Sequence, residues 1–214
     1  MALWRDGAVT SVIHGDSRSH AERLPVEAMD WLASQGMRLA DLEAVAVIAG
    51  PGSFTGLRVG IAAAQGWAFA MGIPVIGVPT LDAVALDPSV AGLRDVVVVP
   101  MIDGQRSEVF YSAWRNGAEV LAPGALRPAE AVGAIVERFP GNRVVTIGDA
   151  MTKYGDVADA ADWERREMTV PLADAAIRLA AVGRYPRTTP HAIRPIYVRR
   201  PDAEASRQKR DRPV

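Results

Sequence analysis

A strand, a glycine-rich loop and a small-residue helix follow one another between residues 44 and 72, and this stretch restricts the fold most. Residues 44–49 are apolar and partly β-branched, as expected of a buried strand. The glycines that follow are Gly50, Gly52, Gly56 and Gly60. So dense a set indicates a backbone that needs positive φ angles or approaches another group closely. We expect Gly52 or Gly56 to hold such an angle.

The helix expected at residues 57–71 has one unusually small side. Ser53 and Thr55 suit its start, because a hydroxyl can accept a hydrogen bond from a free N–H of the first turn. Small residues then recur at spacings of three and four, which places them on one side of a helix. They are Gly60, Ala63, Ala64, Gly66 (or Trp67) and Ala70. Such a side permits close packing against a neighbour.

Three familiar functional loops do not fit residues 50–58. A Walker loop needs a lysine after Gly56, where Leu57 stands. A dinucleotide fingerprint needs a third glycine at the position of Thr55. A nucleophile elbow at Ser53 needs flanking glycines where Pro51 and Thr55 stand. On spacing alone, a tight strand-to-helix turn without a ligand explains the loop equally well.

Four segments together resemble one known family. They are GPGSFTGLRVG at residues 50–60, AAAQGWAFAMGIPVIGV at 62–78, PMIDGQRSEVFYSAW at 100–114 and RPIYVRRPDAE at 194–204. The sequence closely resembles the bacterial TsaB family, also called YeaZ, over most of its length. The resemblance implies an α/β, two-lobed actin-like fold of the ASKHA, ribonuclease-H-like type. It also implies a cytoplasmic, non-catalytic subunit of the machinery that forms N6-threonylcarbamoyladenosine in tRNA.

The resemblance further implies particular partners. The catalytic paralogue TsaD would form a heterodimer with this chain, a TsaE-like ATPase would join them, and tRNA would be met indirectly through the complex. Alone, the chain is a candidate homodimer. No cofactor, metal or catalytic residue is implied. In the paralogue, a metal-binding His-x-x-x-His pair follows the strand that corresponds to residues 74–78. Here Thr80 and Val84 occupy those positions, and neither replaces an imidazole.

Three groups of candidate site residues follow. The family's signature loop would comprise Gly50, Pro51, Gly52, Ser53, Phe54, Thr55, Gly56, Leu57 and Arg58. The partner-binding face would comprise Gly60, Ala63, Gly66, Trp67 and Ala70, with Leu24 and Trp31 from the preceding helix. A third motif, Asp103, Arg106 and Glu108, lies at a hairpin turn. It is interpreted either as a solvated turn with local salt bridges, or as a partner contact or vestige of a nucleotide cleft.

The order of predicted elements repeats, as expected of two related lobes. We assign residues 1–92 to the first lobe, 93–172 to the second, 173–198 to a helix and strand that pack back, and 199–214 to a charged tail. Compared with the family pattern, about fifteen residues of a first strand, which ends in Asp-Thr-Ser, are missing before ALWRDG. We therefore expect a first lobe truncated at its N-terminus and a native start upstream.

Individual elements have local signals. Asp6-Gly7 indicates a hairpin joining residues 2–5 and 8–13. Ser19 and Glu22 form a capping box for the next helix. Strands are expected at 74–78, 95–102, 107–114, 119–121 and 144–147, and helices at 80–86, 128–139 and 171–184. Residues 151–170 are polar and have no clear assignment.

Composition narrows the function classes. The 214 residues include no cysteine, which excludes disulfides and thiolate chemistry and agrees with a reducing cytosol. The net charge is −1, so the chain as a whole is not a general nucleic-acid binder. Two alternative functions are a sugar-kinase-like, nucleotide-binding enzyme and a glycoprotease-like hydrolase. The chain has no N-terminal phosphate loop, which the first function would need. It also has no nucleophile–base pair or metal pair, which the second would need.

Overall fold

Two small sheets form the first half of the chain. The computed structural model describes residues 1–13 and 20–199. Strands β1 (Ala2–Arg5) and β2 (Ala8–Ser11) pair antiparallel around Asp6-Gly7, so the predicted hairpin is confirmed. Strands β3 (Val45–Gly50) and β4 (Val75–Pro79) pair parallel.

Two helices pack with these sheets. Helix α1 (His20–Ser34) precedes β3, and helix α2 (Phe54–Met71) connects β3 to β4 and contacts both α1 and β3. The predicted capping box of α1 lies outside the described residues, at Ser19 and the side chain of Glu22. The buried side of α2 joins the sheet in one apolar cluster, which includes Ile61, Ala64 and Ala68.

A five-stranded mixed sheet forms the second half. Its strands are β5 (Val97–Gln105), β6 (Glu108–Arg115), β7 (Ala118–Leu126), β8 (Val144–Ile147) and β9 (Glu164–Arg166), in the order β7-β6-β5-β8-β9. Strands β5, β6 and β7 pair antiparallel, whereas β5, β8 and β9 pair parallel. Successive side chains of a strand point to opposite faces of its sheet, so β5 contributes side chains to the cores on both faces.

Helices cover both faces of this sheet. Helices α4 (Pro128–Arg138) and α5 (Ala150–Asp159) pack on one face, in a cluster with Val97, Val99 and Met101. Helix α3 (Thr80–Ala85) packs on the other face through Leu81 and Val84. Helix α6 (Leu172–Ala181) contacts α3 and strands β1 to β4, so it joins the two small sheets.

The structure departs from the sequence-based assignment, or completes it, in several places. Strand β7 runs to Leu126, well past the predicted 119–121, because it is the last strand of the sheet, where Pro123 is tolerated. Residues 151–170, which had no clear assignment, contain most of α5 and all of β9. The last long helix ends at Ala181 instead of residue 184.

The two halves share one local unit, as the repeated order predicted. In each, a parallel strand ends at a glycine with positive φ, and a helix follows. The glycines are Gly50 (φ 115°), after which α2 begins, and Gly148 (φ 124°), after which α5 begins. A Cβ atom at Gly50 would collide with the carbonyl oxygen of Ile196, and one at Gly148 would collide with the carbonyl oxygen of Met101.

Candidate functional site

The signature loop, residues 50–58, turns the chain from β3 into α2. Ser53 caps the helix, as predicted, because its Oγ accepts a hydrogen bond from the Gly56 N–H at 3.3 Å. The prediction that Gly52 or Gly56 holds a positive φ was wrong, since Gly50 holds it within this loop. A Cβ on Gly50 would lie 2.6 Å from the Ile196 carbonyl oxygen. Glycine is therefore needed at position 50 for two reasons: the backbone has a positive φ, and the Ile196 carbonyl lies where a Cβ atom would be.

Two hydrogen bonds from elsewhere in the chain fix the loop. The hydroxyl of Thr80, which is 4% exposed, donates to the Pro51 carbonyl at 2.6 Å. The Ile196 N–H donates to the Ala49 carbonyl at 2.7 Å. Thr80 is one of the two residues that stand where the catalytic paralogue is expected to carry metal-binding histidines. In this chain its side chain positions the loop.

An aromatic pair and an arginine lie at the exposed end of the loop. The rings of Phe54 and Tyr197 stack with their centroids 5.7 Å apart. The Arg58 guanidinium carbon lies 3.9 Å from the Phe54 ring centroid, and its Nε donates to the Tyr197 hydroxyl at 3.3 Å. The three side chains are all exposed, so the cation–π contact adds only about 0.5–1 kcal/mol.

The β5–β6 hairpin carries the third predicted motif and faces the loop. Asp103 receives a hydrogen bond from Lys153 at 3.2 Å and, through its own N–H, donates to Asp149 at 2.9 Å. Glu108 accepts a hydrogen bond from Arg199 at 2.6 Å. These acids thus contact residues distant in sequence, beyond the local turn.

A cleft of about 370 Å³ lies between the loop, the hairpin and the C-terminal segment. Its walls include Gly52, Phe54, Asp103, Arg106, Tyr197 and Arg199. The structure therefore brings the signature loop and the Asp103 motif to one cleft. Residues 196–199 complete it; they lie in a segment that resembles the family, but the sequence analysis did not select them as site residues. The lining offers backbone groups, ring faces, guanidinium groups and one carboxylate.

The described residues contain no evident metal centre. Among residues 1–13 and 20–199, no three His, Cys, Asp or Glu side chains converge where they could hold a metal ion. The helices of these residues are also too short or too polar to cross a membrane.

The predicted partner-binding residues lie on one flank of α2 and on α1. Gly66 and Ala70 are exposed, and Gly60, Ala63 and Trp67 are half-buried. Trp67 also packs against the cluster around Val45 and Ile61. On α1, Leu24 and Trp31 are half-buried. Exposed apolar side chains that the sequence analysis did not select are Phe69 (68% exposed), Val26 (54%) and Met29 (47%).

The carboxyl groups of Asp87 and Asp82 have pKa values shifted by their burial and hydrogen bonds, and both side chains serve the fold. Burial would raise the pKa of Asp87, but hydrogen bonds from Ser89 and Thr169 outweigh it and hold this pKa below its ordinary value. Burial raises the pKa of Asp82, although the Tyr185 hydroxyl donates to it at 2.6 Å. The burial of the Tyr185 hydroxyl, its hydrogen bond to Asp82 and the charge of Asp82 together raise the pKa of Tyr185.

Comparison with solved structures identifies the fold. A crystal structure of a Pseudomonas aeruginosa protein, described as similar to peptidase YEAZ, matches with a TM-score of 0.70 and 25% identity. The match covers 92% of this chain and 93% of that one. A second structure, YeaZ from Pseudomonas aeruginosa, matches with a TM-score of 0.64 and 24% identity, over 92% of each chain. The predicted α/β, actin-like class of fold is thereby confirmed.

Sequence comparisons agree with the structural ones. The family model described as TsaD, tRNA N6-adenosine threonylcarbamoyltransferase, matches residues 14–156. An uncharacterized protein of Mycobacterium tuberculosis (strain H37Rv) is 35% identical over 88% of this chain and 79% of its own. The tRNA threonylcarbamoyladenosine biosynthesis protein TsaB of Escherichia coli K12 is 30% identical over 84% of this chain and 80% of its own. Fold, signature loop and relatives agree, and the chain belongs to the TsaB (YeaZ) family, within the group that the TsaD model describes.

Proposed function

We propose that this chain is an accessory subunit in the formation of N6-threonylcarbamoyladenosine in tRNA. In this proposal it acts in the cytoplasm, pairs with a TsaD-type catalytic paralogue, is joined by a TsaE-like ATPase, and does not transfer the threonylcarbamoyl group itself. The relatives named TsaB support the pathway. The TsaD-type match over residues 14–156 supports a common ancestry with the catalytic partner.

The observation that carries the pairing is the exposed apolar surface of α1 and α2. These helices contact each other, and they leave Val26, Met29, Gly66 and Ala70 open to solvent. Exposed apolar surface on adjacent helices is typical of a protein–protein interface. The small residues of α2 would let the backbone of a second helix approach closely. The half-buried Ala63 lies on the same flank, so a bulky charge there would separate the partners.

We further infer that residues 1–92 and 93–172 form the two lobes, with residues 173–198 packing back onto the first. In favour of this division, α6 contacts strands β1 to β4. Helix α3 belongs to the first lobe by sequence but buries Leu81 and Val84 against the second sheet. It would therefore be the main connection between the lobes.

Size-exclusion chromatography with the purified paralogue tests the pairing. We expect Ala63→Arg to abolish the heterodimer while the variant itself stays folded. Ala70→Arg changes an exposed position on the same flank, so it should act in the same way with less effect on folding than the half-buried Ala63. Ala129→Arg, on the exposed side of α4, is the matched control and should leave the complex intact.

Two outcomes decide the matter. Loss of the complex peak in both flank variants, with an unchanged control, supports the pairing. An unchanged complex in both flank variants would overturn it. Runs without the paralogue show whether the same flank forms a homodimer, which Ala70→Arg should then convert to a monomer.

A further inference from the structure

The segment that follows α6 lies along one edge of α2. Gln65 donates from its side-chain amide to the Pro190 carbonyl at 2.9 Å. The rings of Phe69 and His191 meet edge to face at 5.6 Å, and Phe54 stacks on Tyr197 at the other end. The segment thus runs antiparallel to α2 from Phe69 to Phe54. At 1.5 Å per residue, this edge is roughly 22 Å long.

Neither of the two segments that build this edge contains an acidic residue. The sequence has no Asp or Glu between residues 44 and 81, or between residues 175 and 201. The exposed arginines Arg58, Arg187 and Arg194 come from these segments. Arg184, which is also exposed, instead contacts the second sheet, at the Gly117 carbonyl and the Trp114 ring. Within the described part of the chain, none of Arg58, Arg187 and Arg194 forms an ion pair with a carboxylate. Arg194 donates only to carbonyls of its own segment, those of His191 and Ile193.

Exposed aromatic rings belong to the same two segments as these charges. Phe54 is 48% exposed, Phe69 is 68% exposed and Tyr197 is 42% exposed. We call the set Arg58, Arg187, Arg194, Phe54, Phe69 and Tyr197 the basic ridge. Arginines left without carboxylates attract a polyanion, and exposed rings among them offer stacking surfaces for bases. A ridge of this length reaches several phosphates of one strand.

The basic ridge and the proposed partner flank use different parts of α2. With 100° between successive helical residues, Phe54, Arg58 and Phe69 share one edge, and Ala63 and Ala70 lie well around the helix from it. A partner on the flank would therefore leave the ridge accessible.

We propose that the basic ridge binds an RNA strand directly, with the arginines on its phosphates and the exposed rings against its bases. That the RNA is tRNA rests on the proposed function, in which the complex acts on tRNA. The chain would then be an RNA-contacting subunit as well as a scaffold. The alternative occupant, an acidic segment of a protein partner, is an outcome of the test below.

Fluorescence anisotropy with labelled unfractionated tRNA measures this binding. The variant Arg58→Gln/Arg187→Gln/Arg194→Gln removes the three charges and keeps hydrogen-bonding side chains. The control Arg94→Gln/Arg127→Gln/Arg138→Gln removes three charges in the loop before β5 and at the two ends of α4. Melting curves confirm that both variants are folded. Each protein is titrated at several salt concentrations, alone and in complex with the paralogue.

We expect the ridge variant to bind at least about tenfold more weakly at low salt. The slope of log K against log salt should fall by about 2, because each lost phosphate contact removes roughly 0.7 from it on a single strand. Phe69→Leu should weaken binding about fivefold or more without changing the slope, since stacking releases no counterions. The control should match the wild type.

Unchanged affinity and slope in the ridge variant would overturn the proposal. So would a ridge variant that loses the paralogue while its tRNA affinity is unchanged, because the arginines would then contact protein. The two proposals fail separately. Ridge-dependent tRNA binding without any heterodimer would refute the proposed function alone, and an intact heterodimer with ridge-independent tRNA binding would refute this inference alone.

Discussion

Replacing Gly50 by alanine should lower the free energy of unfolding by about 2–3 kcal/mol. At φ 115° a residue with a Cβ is strained by about 1–3 kcal/mol. The new methyl group would lie 2.6 Å from the Ile196 carbonyl oxygen, so this backbone must move. Movement weakens the hydrogen bond from the Ile196 N–H to Ala49, a loss of about 1 kcal/mol. Reduced entropy of the unfolded chain offsets about 0.4–1 kcal/mol of the total.

Thermal and urea unfolding of Gly50→Ala and Gly52→Ala test this reasoning as a pair. The first substitution should lower Tm by about 4–12 °C, at roughly 2–4 °C per kcal/mol for a chain of this size. The second should change stability by no more than about 0.5 kcal/mol, because Gly52 has no positive φ and a Cβ there would meet only Leu57, at 4.0 Å. Equal effects of the two substitutions would refute the argument from Gly50.

Asp87→Asn should destabilise the protein by about 2–3 kcal/mol at pH 7, because an amide NH2 would face the N–H groups of Thr169 or Val170 that now donate to the carboxylate. The folded-state pKa of Asp87 is lowered, so its contribution is complete above the unfolded pKa of about 3.9 and is lost as pH falls through the folded pKa. Urea titrations should therefore show a smaller difference between variant and wild type at pH 3 than at pH 7; an equal difference would contradict this. Gly66→Ala should raise stability by up to about 1 kcal/mol, since Gly66 lies inside α2 and a Cβ there would meet nothing within 4 Å. A lower Tm for this variant would show that the position is packed.

Local signals were sufficient for most elements of the fold. Asp6-Gly7 marks the first hairpin, Ser53 caps α2 and Pro128 begins α4, because each depends on the backbone within a few residues. The signature loop was found from its residues alone. Its relation to the family came from a resemblance, because glycine spacing by itself left a ligand-free turn equally acceptable.

The errors occur where contacts distant in sequence decide the structure. Local density of glycines suggested positive φ at Gly52 or Gly56, but the requirement falls on Gly50, because the chain near Ile196 passes directly against it. Strand β7 is extended by its pairing with β6 despite Pro123. The arginines of the basic ridge are far apart in sequence, and no spacing rule relates Arg58 to Arg187.

The hydrogen bond between Ile196 and Ala49 also has a consequence for the order of events during synthesis. On the ribosome, β3 and α2 emerge long before Ile196 does, and elements of the first half can begin to form at once. The donor that meets the Ala49 carbonyl and the ring that stacks on Phe54 come from the far part of the chain. Such distant contacts form late, since a large loop must close first. A nascent chain therefore presents an unfinished signature loop until Ile196 and Tyr197 have been translated, and a partner that binds earlier meets an incomplete surface.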